Sequence, residues 1–510
     1  MLHRPLSTRG RLRRPRAVTA TLAALAAVGI GLSVGVSGCA VFARPAPPAA
    51  GSVSFSNPLR VPPLAESTVE NGVRVYELTA AEGSTDIVPQ GPTPTLGYNG
   101  SYLGPTLVAE RGETVRVDVD NELPHPTTVH WHGMHLPAAM DGGPHSPIAP
   151  GDTWSPEWTV DQPAATLWYH PHLHEHTREQ VDAGLAGTFI LRDEVEAALP
   201  LPREYGVDDI PLIVQDRSFG ADGAFTGELG QFDGVLGDTM LVNGTASPYL
   251  DVTTERVRLR LLNGSSARMY EFAFEDGRAF DLIATDGGLL EAPVETESVP
   301  LSPGERAEIV VTLTPGERAV LRSLAPDPAL NAGSSSFDVM ELRAASDLAP
   351  SPEVPERLAD IGEPDASTAV GERTFELSGH NINDRQMDMG RVDEVVTVDT
   401  SEVWRVRNDN PLPHSFHVHD TQFRVLSIDG EAPPPRLAGY TDTIALEHDR
   451  EYRLLVRFED YADPTTPYMY HCHLLWHEDQ GMMGQFLVVE PGQQPDLRTT
   501  PGGSDDHHDH

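Results

Sequence analysis

Lysine is absent from the 510 residues, so all 36 basic side chains are arginine, set against 76 acidic ones for a formal charge of −40. So acidic a chain repels phosphate backbones, which argues against nucleic acid as a partner and favours a cationic or neutral one. Adaptation to salt or a GC-rich genome produces the same imbalance. Cysteine is nearly absent: only Cys39 and Cys472 occur. Each has a better use than a disulfide between them, so none is expected. Helical periodicity is scarce as well. The chain reads instead as short alternating strands broken by Gly, Pro and Asp turns, the pattern of a Greek-key β-sandwich or barrel. At 510 residues it is too long for one core and suggests about three domains.

The N-terminus reads as an address. Six arginines from Arg4 to Arg16 precede an apolar run, Ala17 to Val36, that ends in Val36-Ser37-Gly38-Cys39. A basic segment, an apolar segment and small residues define an export signal. The last four residues resemble a bacterial lipobox, which implies cleavage before Cys39 and lipid on that cysteine. Residues 1–38 are therefore expected to be a lipoprotein-type signal peptide. The protein is expected outside the cytoplasm, meeting the membrane only through that signal or anchor. Arg13-Arg14 permits the twin-arginine route as well as the general one, and the run is long enough for an uncleaved anchor. Residues 39–57, with Pro, Ala and Ser from Pro45 onward, read as a flexible tether. Residues 493–510, ending in Asp-Asp-His-His-Asp-His, read as a disordered tail.

An internal repeat sets the architecture between these ends. Glu113 to Asn121, Glu255 to Asn263 and Glu402 to Asn408 are alternating strands that each end in Asn, with the asparagines 142 and 145 residues apart. Three modules follow, expected at 58–195, 205–345 and 365–492, with linkers near Asp193 to Gly206 and Ala344 to Ser367. Nine residues past Asn121 lies His130, and nine past Asn408 lies His417. The same offset from Asn263 lands on Phe272, with Phe274 two further on. The middle module thus puts aromatics where its neighbours put histidines.

Those histidines come in four pairs spaced two apart: His130 and His132, His170 and His172, His417 and His419, His471 and His473. On a strand, residues i and i+2 share a face, so each pair projects two imidazoles together. The last pair encloses Cys472, which then points to the opposite face. His477 and Met482 follow it, and His414 precedes the third pair. A thiolate with two imidazoles and a weak thioether is the ligand set of a blue-copper electron-transfer site. A lone His-x-His is more often structural, and His-Cys-His alone also suits zinc. Four pairs with His477 and Met482 beside them favour copper. Metal held by Cys472 would connect through two short covalent paths to metal held by its neighbours. That suits collecting electrons singly and using them together.

His130-Trp131-His132-Gly133, Met140-Asp141-Gly142-Gly143-Pro144, Ile213-Val214-Gln215-Asp216-Arg217, Ala284-Thr285-Asp286-Gly287-Gly288 and the stretch from His471 to Met483 carry a resemblance. The chain resembles the three-domain multicopper oxidases, first the cuprous oxidases of bacterial copper efflux and then bacterial laccases, from about residue 55 to 492. The resemblance implies an all-β chain of three consecutive cupredoxin-like Greek-key β-sandwich domains and four copper ions. On the family pattern, a type 1 copper takes His414, Cys472, His477 and axial Met482, and a type 2 copper takes His130 and His417. The type 3 pair takes His132, His170 and His473 on one copper and His172, His419 and His471 on the other.

The implied reaction is one-electron oxidation of a small reducing substrate coupled to four-electron reduction of dioxygen to water. Asp141 and Glu478, each adjoining a ligand motif, are the candidate proton donors. Two departures bear on the substrate side. Where cuprous oxidases carry a long Met-rich insert over the type 1 site, the segment from Asn381 to Asp393 is short and holds only Met387 and Met389. Asp409 is also offset by one position from the family's Asp before the first third-domain ligand. Phenols are therefore expected as substrates, with Cu(I) beside them and Met387 and Met389 as soft ligands for it. The alternative is a copper-binding carrier or resistance protein without turnover, which has no need of ten coordinated histidines. A nitrite reductase of related fold is disfavoured because such enzymes use two-domain subunits with fewer His pairs.

Overall fold

The structure is a computed structural model that describes residues 53–496 apart from 228, 231–233, 328–331 and 333. The readings of residues 1–52 as signal, lipid attachment site and tether, and of the tail beyond 496, lie outside the described residues. Among the described residues no helix is long and apolar enough to cross a membrane.

Alternation governs the strands. Thr114–Asn121 buries every second side chain, as a strand with one face on a core must. The strands assemble into three successive pairs of sheets. In the first pair, a six-stranded sheet built on Val73–Val88 and Thr114–Asn121 faces a four-stranded sheet ordered Leu107–Glu110, Gly187–Arg192, Ala165–His170, His130–His132. The second pair is larger. Its inner strands are Asp209–Phe219, Arg256–Asn263 and Arg306–Thr312 in one sheet and Pro248–Thr254, Phe337–Ala349 and Arg318–Ser323 in the other. The third pair has five strands in each sheet, one of them ordered Glu394–Thr397, Met483–Val489, Tyr468–Cys472, His414–Val418, Thr443–Leu446.

Each pair of sheets closes on its own apolar core. Val117, Trp131 and Phe189 lie in the first, Leu259, Phe272 and Ile309 in the second, and Trp404, Phe416 and Phe486 in the third. Phe272 and Phe274 are both buried in the middle core. Each phenyl there contributes on the order of 2–3 kcal/mol by burial.

The repeated asparagines do equivalent jobs in all three modules. Asn121 donates from Nδ2 to the carbonyls of His125 and Ile148 and accepts from the Leu123 amide. Asn263 does so with Arg268, Leu301 and Ser265, and Asn408 with Leu412, Leu446 and Asn410. Each thereby fixes the loop that leads from its strand to the next. That next strand is His130–His132 in the first module, Tyr270–Phe274 in the second and His414–Val418 in the third.

Short helices and the first strand tie the modules together. Thr177–Ala183 starts at His176 with no side-chain cap of its own. Asp479, at the end of the Leu475–Asp479 helix in the third module, accepts from the Thr177 and Arg178 amides at 2.9 and 3.1 Å instead. A carboxylate satisfying those otherwise orphaned donors docks the third module on the first. Asn57–Pro58 adds to the second module's sheet, parallel to Pro248–Tyr249.

Candidate metal centre

The strand Tyr468–Cys472 pairs with His414–Val418 so that His471 lies opposite His417 and Cys472 opposite Phe416. Alternation then sends Cys472 into the third module. There its Sγ lies 3.2 Å from His414 Nδ1 and 3.7 Å from His477 Nδ1, and those two nitrogens are 3.3 Å apart. All three residues are buried. Met482 is buried beside them, its carbonyl accepting from the Cys472 amide at 3.1 Å. Burial pushes the Cys472 thiol up to about 12 and drives the His414 imidazole well below its ordinary range. A metal binding here displaces the thiol proton. Among the described residues Cys472 is free, and Cys39 lies outside them.

His471 and His473 take the other side. They join His130, His132, His170, His172, His417 and His419 in one buried group between the first and third modules. His170 lies opposite His130 within the first module's sheet. Across the interface the His132 and His417 rings stack at 3.7 Å, and the His130 and His419 rings at 3.8 Å. His172, His419 and His471 form a tight trio, with His471 Nε2 at 3.2 Å from Nε2 of each of the others. His132 Nδ1 is 3.4 Å from His170 Nε2, and the His473 ring centre is 4.9 and 5.3 Å from those of His132 and His170. His130 sits against His132, His170, His172 and His417 at once.

Seven of these imidazoles are held as neutral donors. Burial first, and their neighbours second, push His132, His170, His172, His419, His471 and His473 well below the ordinary imidazole range. Burial lowers His417 also. His130 Nε2, His417 Nε2 and both His473 nitrogens are buried with no hydrogen-bond partner. Buried polar atoms left in that state are costly unless something occupies them. Converging, buried and unpaired histidine nitrogens are what a metal group requires, so the residues fit one.

The nitrogen facing away from the group has a fixed acceptor on most of these rings. His130 Nδ1 lies 3.0 Å from the Asp141 carbonyl, His170 Nδ1 2.8 Å from that of Pro171, and His417 Nδ1 2.9 Å from that of Asp442. His419 Nδ1 lies 2.7 Å from Asp141 Oδ2, and His132 Nε2 3.1 Å from Asp442 Oδ1. Such contacts set the tautomer and aim the opposite lone pair inward. His132 is reversed relative to the rest, presenting Nδ1.

Asp141 and Glu478, the two expected proton donors, are both buried at the group. Asp141 reaches His419 from the first module. The Glu478 oxygens lie 3.4 Å from His172 Nδ1 and 3.3 Å from His471 Nδ1. Burial, with Asp479 adding to it, pushes the Glu478 carboxyl well above its usual range.

Sequence reasoning missed Asp442 and its partner. Asp442 touches His132 and His417, and it is fastened by Arg306 of the middle module with Nη1–Oδ1 and Nη2–Oδ2 both 2.6 Å. Burial alone would raise the Asp442 carboxyl, but Arg306 outweighs it and holds the group well below the usual carboxylate range. Neither residue sits in a histidine motif. The only signal nearby was the Ala284 to Gly288 stretch, whose Asp286 accepts from the Arg306 amide at 2.6 Å.

Met387 and Met389 are half-buried, and Met387 lies beside the Gly481-Met482 turn at the thiolate site. The Met387 amide donates to the Gly481 carbonyl at 2.8 Å, which seats the short segment on the Gly481-Met482 turn. His380 and Trp476 complete this face, with the His380 ring 4.9 Å from His477 and 4.8 Å from Trp476.

Fold and site together define the class: three β-sandwich modules of cupredoxin type, with a Cys-His-His site in the third and an eight-histidine site between the first and third. Comparison with known proteins agrees. Sequence profiles described as multicopper oxidase match residues 81–196, 222–319 and 353–492. The multicopper oxidase mco of Staphylococcus haemolyticus is 36% identical over 440 residues, covering 85% of this chain and 93% of that one. The cell division protein FtsP of Dickeya dadantii is 35% identical over 463 residues, covering 89% and 97%. Among solved structures, a laccase-like multicopper oxidase CueO from Ochrobactrum sp. superposes with a TM-score of 0.79 at 35% identity, covering 85% of this chain and all of that one. A laccase of Pediococcus acidilactici gives 0.79 at 36%, covering 88% and 96%. The chain belongs to the multicopper oxidase family.

Proposed function

We propose that the protein is a copper-loaded oxidase that takes single electrons from a small reducing substrate at the Cys472 site and reduces dioxygen to water at the histidine group. The carrying observation is the convergence of ten buried histidines and one thiol in two adjoining groups joined by the peptide His471-Cys472-His473. When bound, four coppers would supply one electron-accepting centre and one dioxygen-reducing centre. His414, Cys472, His477 and Met482 would hold the first. His130 and His417, then His132, His170 and His473, then His172, His419 and His471, would hold the second. A copper-binding protein without turnover would take up metal and leave dioxygen untouched.

Dioxygen reduction consumes protons, and Asp141 and Glu478 are the groups placed to deliver them. Asp141 Oδ2 on His419 and Glu478 between His172 and His471 put a carboxyl on each flank of the group. Asp141→Asn is expected to lower steady-state turnover about 100-fold, the usual scale of a lost proton donor. Anaerobic bleaching of the blue colour by a fast reductant should proceed at the wild-type rate. Unchanged turnover in the variant would remove Asp141 from that role.

On substrate, we favour phenolic reductants with Cu(I) beside them. The short segment over Gly481 leaves His380 and Trp476 at the face of the Cys472 site, where an aromatic ring can approach. The Ochrobactrum relative is described as active towards lignin model compounds and lignosulfonate, which supports this reading. Met387 and Met389 offer soft sulfur to a cuprous ion at the same face. Replacing both with Ala should raise the apparent KM for Cu(I) several-fold and leave phenol oxidation nearly unchanged. Equal losses on both substrates would assign the pair to packing instead.

A further inference from the structure

The middle domain carries none of the ten histidines, yet one of its side chains reaches the point where the other two domains meet. We infer that Arg306 is a positioning residue for the eight-histidine group: through Asp442 it locks the orientation of His417, a type 2 ligand, and of His132, a type 3 ligand. The inference rests on the copper reading above.

Arg306 is fully buried, and its donors are shared among all three domains. Nη1 and Nη2 form the two-pronged pair with Asp442 of the third domain. Nε donates to the Thr166 carbonyl of the first domain at 3.0 Å. Nη1 and Nη2 also donate to the Gly304 and Asp286 carbonyls of its own domain at 3.1 and 3.3 Å. A planar guanidinium held this way has no freedom left, and lysine cannot reproduce the fork.

The carboxylate it holds is equally constrained. Asp442 Oδ1 accepts from Thr443 Oγ1 at 2.8 Å and lies 3.1 Å from His132 Nε2 and 3.5 Å from His417 Nδ1. The Asp442 and Thr443 amides donate to Asp286 Oδ2 at 3.2 and 3.3 Å. His132 of the first domain therefore takes its ring orientation from the Asp442 carboxylate and His417 of the third from the Asp442 carbonyl, and the placement of that residue comes from the second.

The chain beside His132 is shaped around this contact. Gly133 has φ +85°, and a Cβ there would fall 2.5 Å from Arg306 Nη2 and 2.7 Å from Asp442 Oδ2. Any other residue would push the guanidinium off the carboxylate. Gly304, two residues before Arg306, has φ +90°, and its Cβ would press on the His473 ring at 3.1 Å. The middle domain's Gly304–Arg306 turn thus abuts the group at two places.

A simple interdomain bolt would stabilise the assembly without distinguishing the histidine group from the Cys472 site. The test compares Arg306→Lys with Arg260→Lys in copper-reconstituted protein. Arg260 also bridges domains, donating to Thr166 Oγ1 at 2.9 Å and pairing with Asp209 and Glu308, but it touches no ligand. The readouts are copper per chain, the type 2 electron paramagnetic resonance signal and the type 1 visible band. Arg306→Lys should keep the blue band while shifting the type 2 signal, and should lose that copper to a chelator at least about tenfold faster, the scale of an outer-shell loss. Arg260→Lys should match wild type in all three. Equal effects from both variants, or wild-type type 2 behaviour in Arg306→Lys, would overturn the inference. If Arg306→Lys loses the blue band and so has not folded, Thr443→Val decides: it removes only the hydroxyl that Asp442, His132 and His417 share, and an unchanged type 2 signal would overturn the inference just as firmly. A wild-type protein with no type 2 signal would sink the copper reading itself, and the inference with it.

Discussion

His135 sits three residues past His132 with its Nδ1 2.8 Å from Asp420 Oδ1, and the Tyr461 ring is 5.0 Å away. Burial alone would lower its pKa, but the Asp420 carboxylate, helped by Glu459, outweighs that and raises it to about 9. A histidine whose folded pKa exceeds the unfolded value of 6.5 adds stability that is fully present below pH 6.5 and lost as pH rises through 9. The shift corresponds to a contribution on the order of 3 kcal/mol. His135→Gln should therefore lower the Tm of the copper-loaded protein most at pH 6, with the deficit shrinking towards pH 10. A deficit that stays constant across that range would mean the pair adds packing and no charge stabilisation. Nothing in the sequence pointed to this pair. Eight of the ligand histidines were legible because they recur in i, i+2 pairs that each begin on a strand. Asp420, Asp442 and Arg306 were not, because a buried ion pair depends on which strand ends the fold brings together.

Elements carry the second part of the account. Tyr468–Cys472 is buried throughout its length, and only alternation decides which side chain meets which group. Cys472 turns into the third domain, while His471 and the following His473 turn towards the first. The sequence made this separation readable, along with the asparagine-ended strand of each domain and the aromatic substitution at Phe272 and Phe274. It did not reveal that Asp479 caps the Thr177–Ala183 helix from another domain, since a carboxylate beside a ligand motif reads equally as a proton donor or a surface charge. Cys472→Ser should abolish the intense visible absorption and bring turnover to background. The electron paramagnetic resonance signal of type 2 copper should persist, since the eight-histidine group is untouched. Blue colour surviving in that variant would overturn the assignment of the thiolate.

At the scale of the whole molecule, three sandwiches place the Cys472 site and the eight-histidine group side by side, and Arg306 of the middle, ligand-free domain pairs with Asp442 at their junction. Relatives of similar identity include both named oxidases and proteins named for cell division, so identity alone does not decide between turnover and another role. The completeness of the histidine set favours turnover, because binding or structural work alone requires no second group joined to the first by His471-Cys472-His473. The most direct test is to reconstitute the protein with copper, supply a phenolic reductant, and measure dioxygen consumed, substrate oxidised and peroxide released together. The account predicts four substrate electrons per dioxygen with no peroxide. Protein that binds its copper and turns blue yet consumes no dioxygen, or that releases peroxide at two electrons per dioxygen, would contradict it.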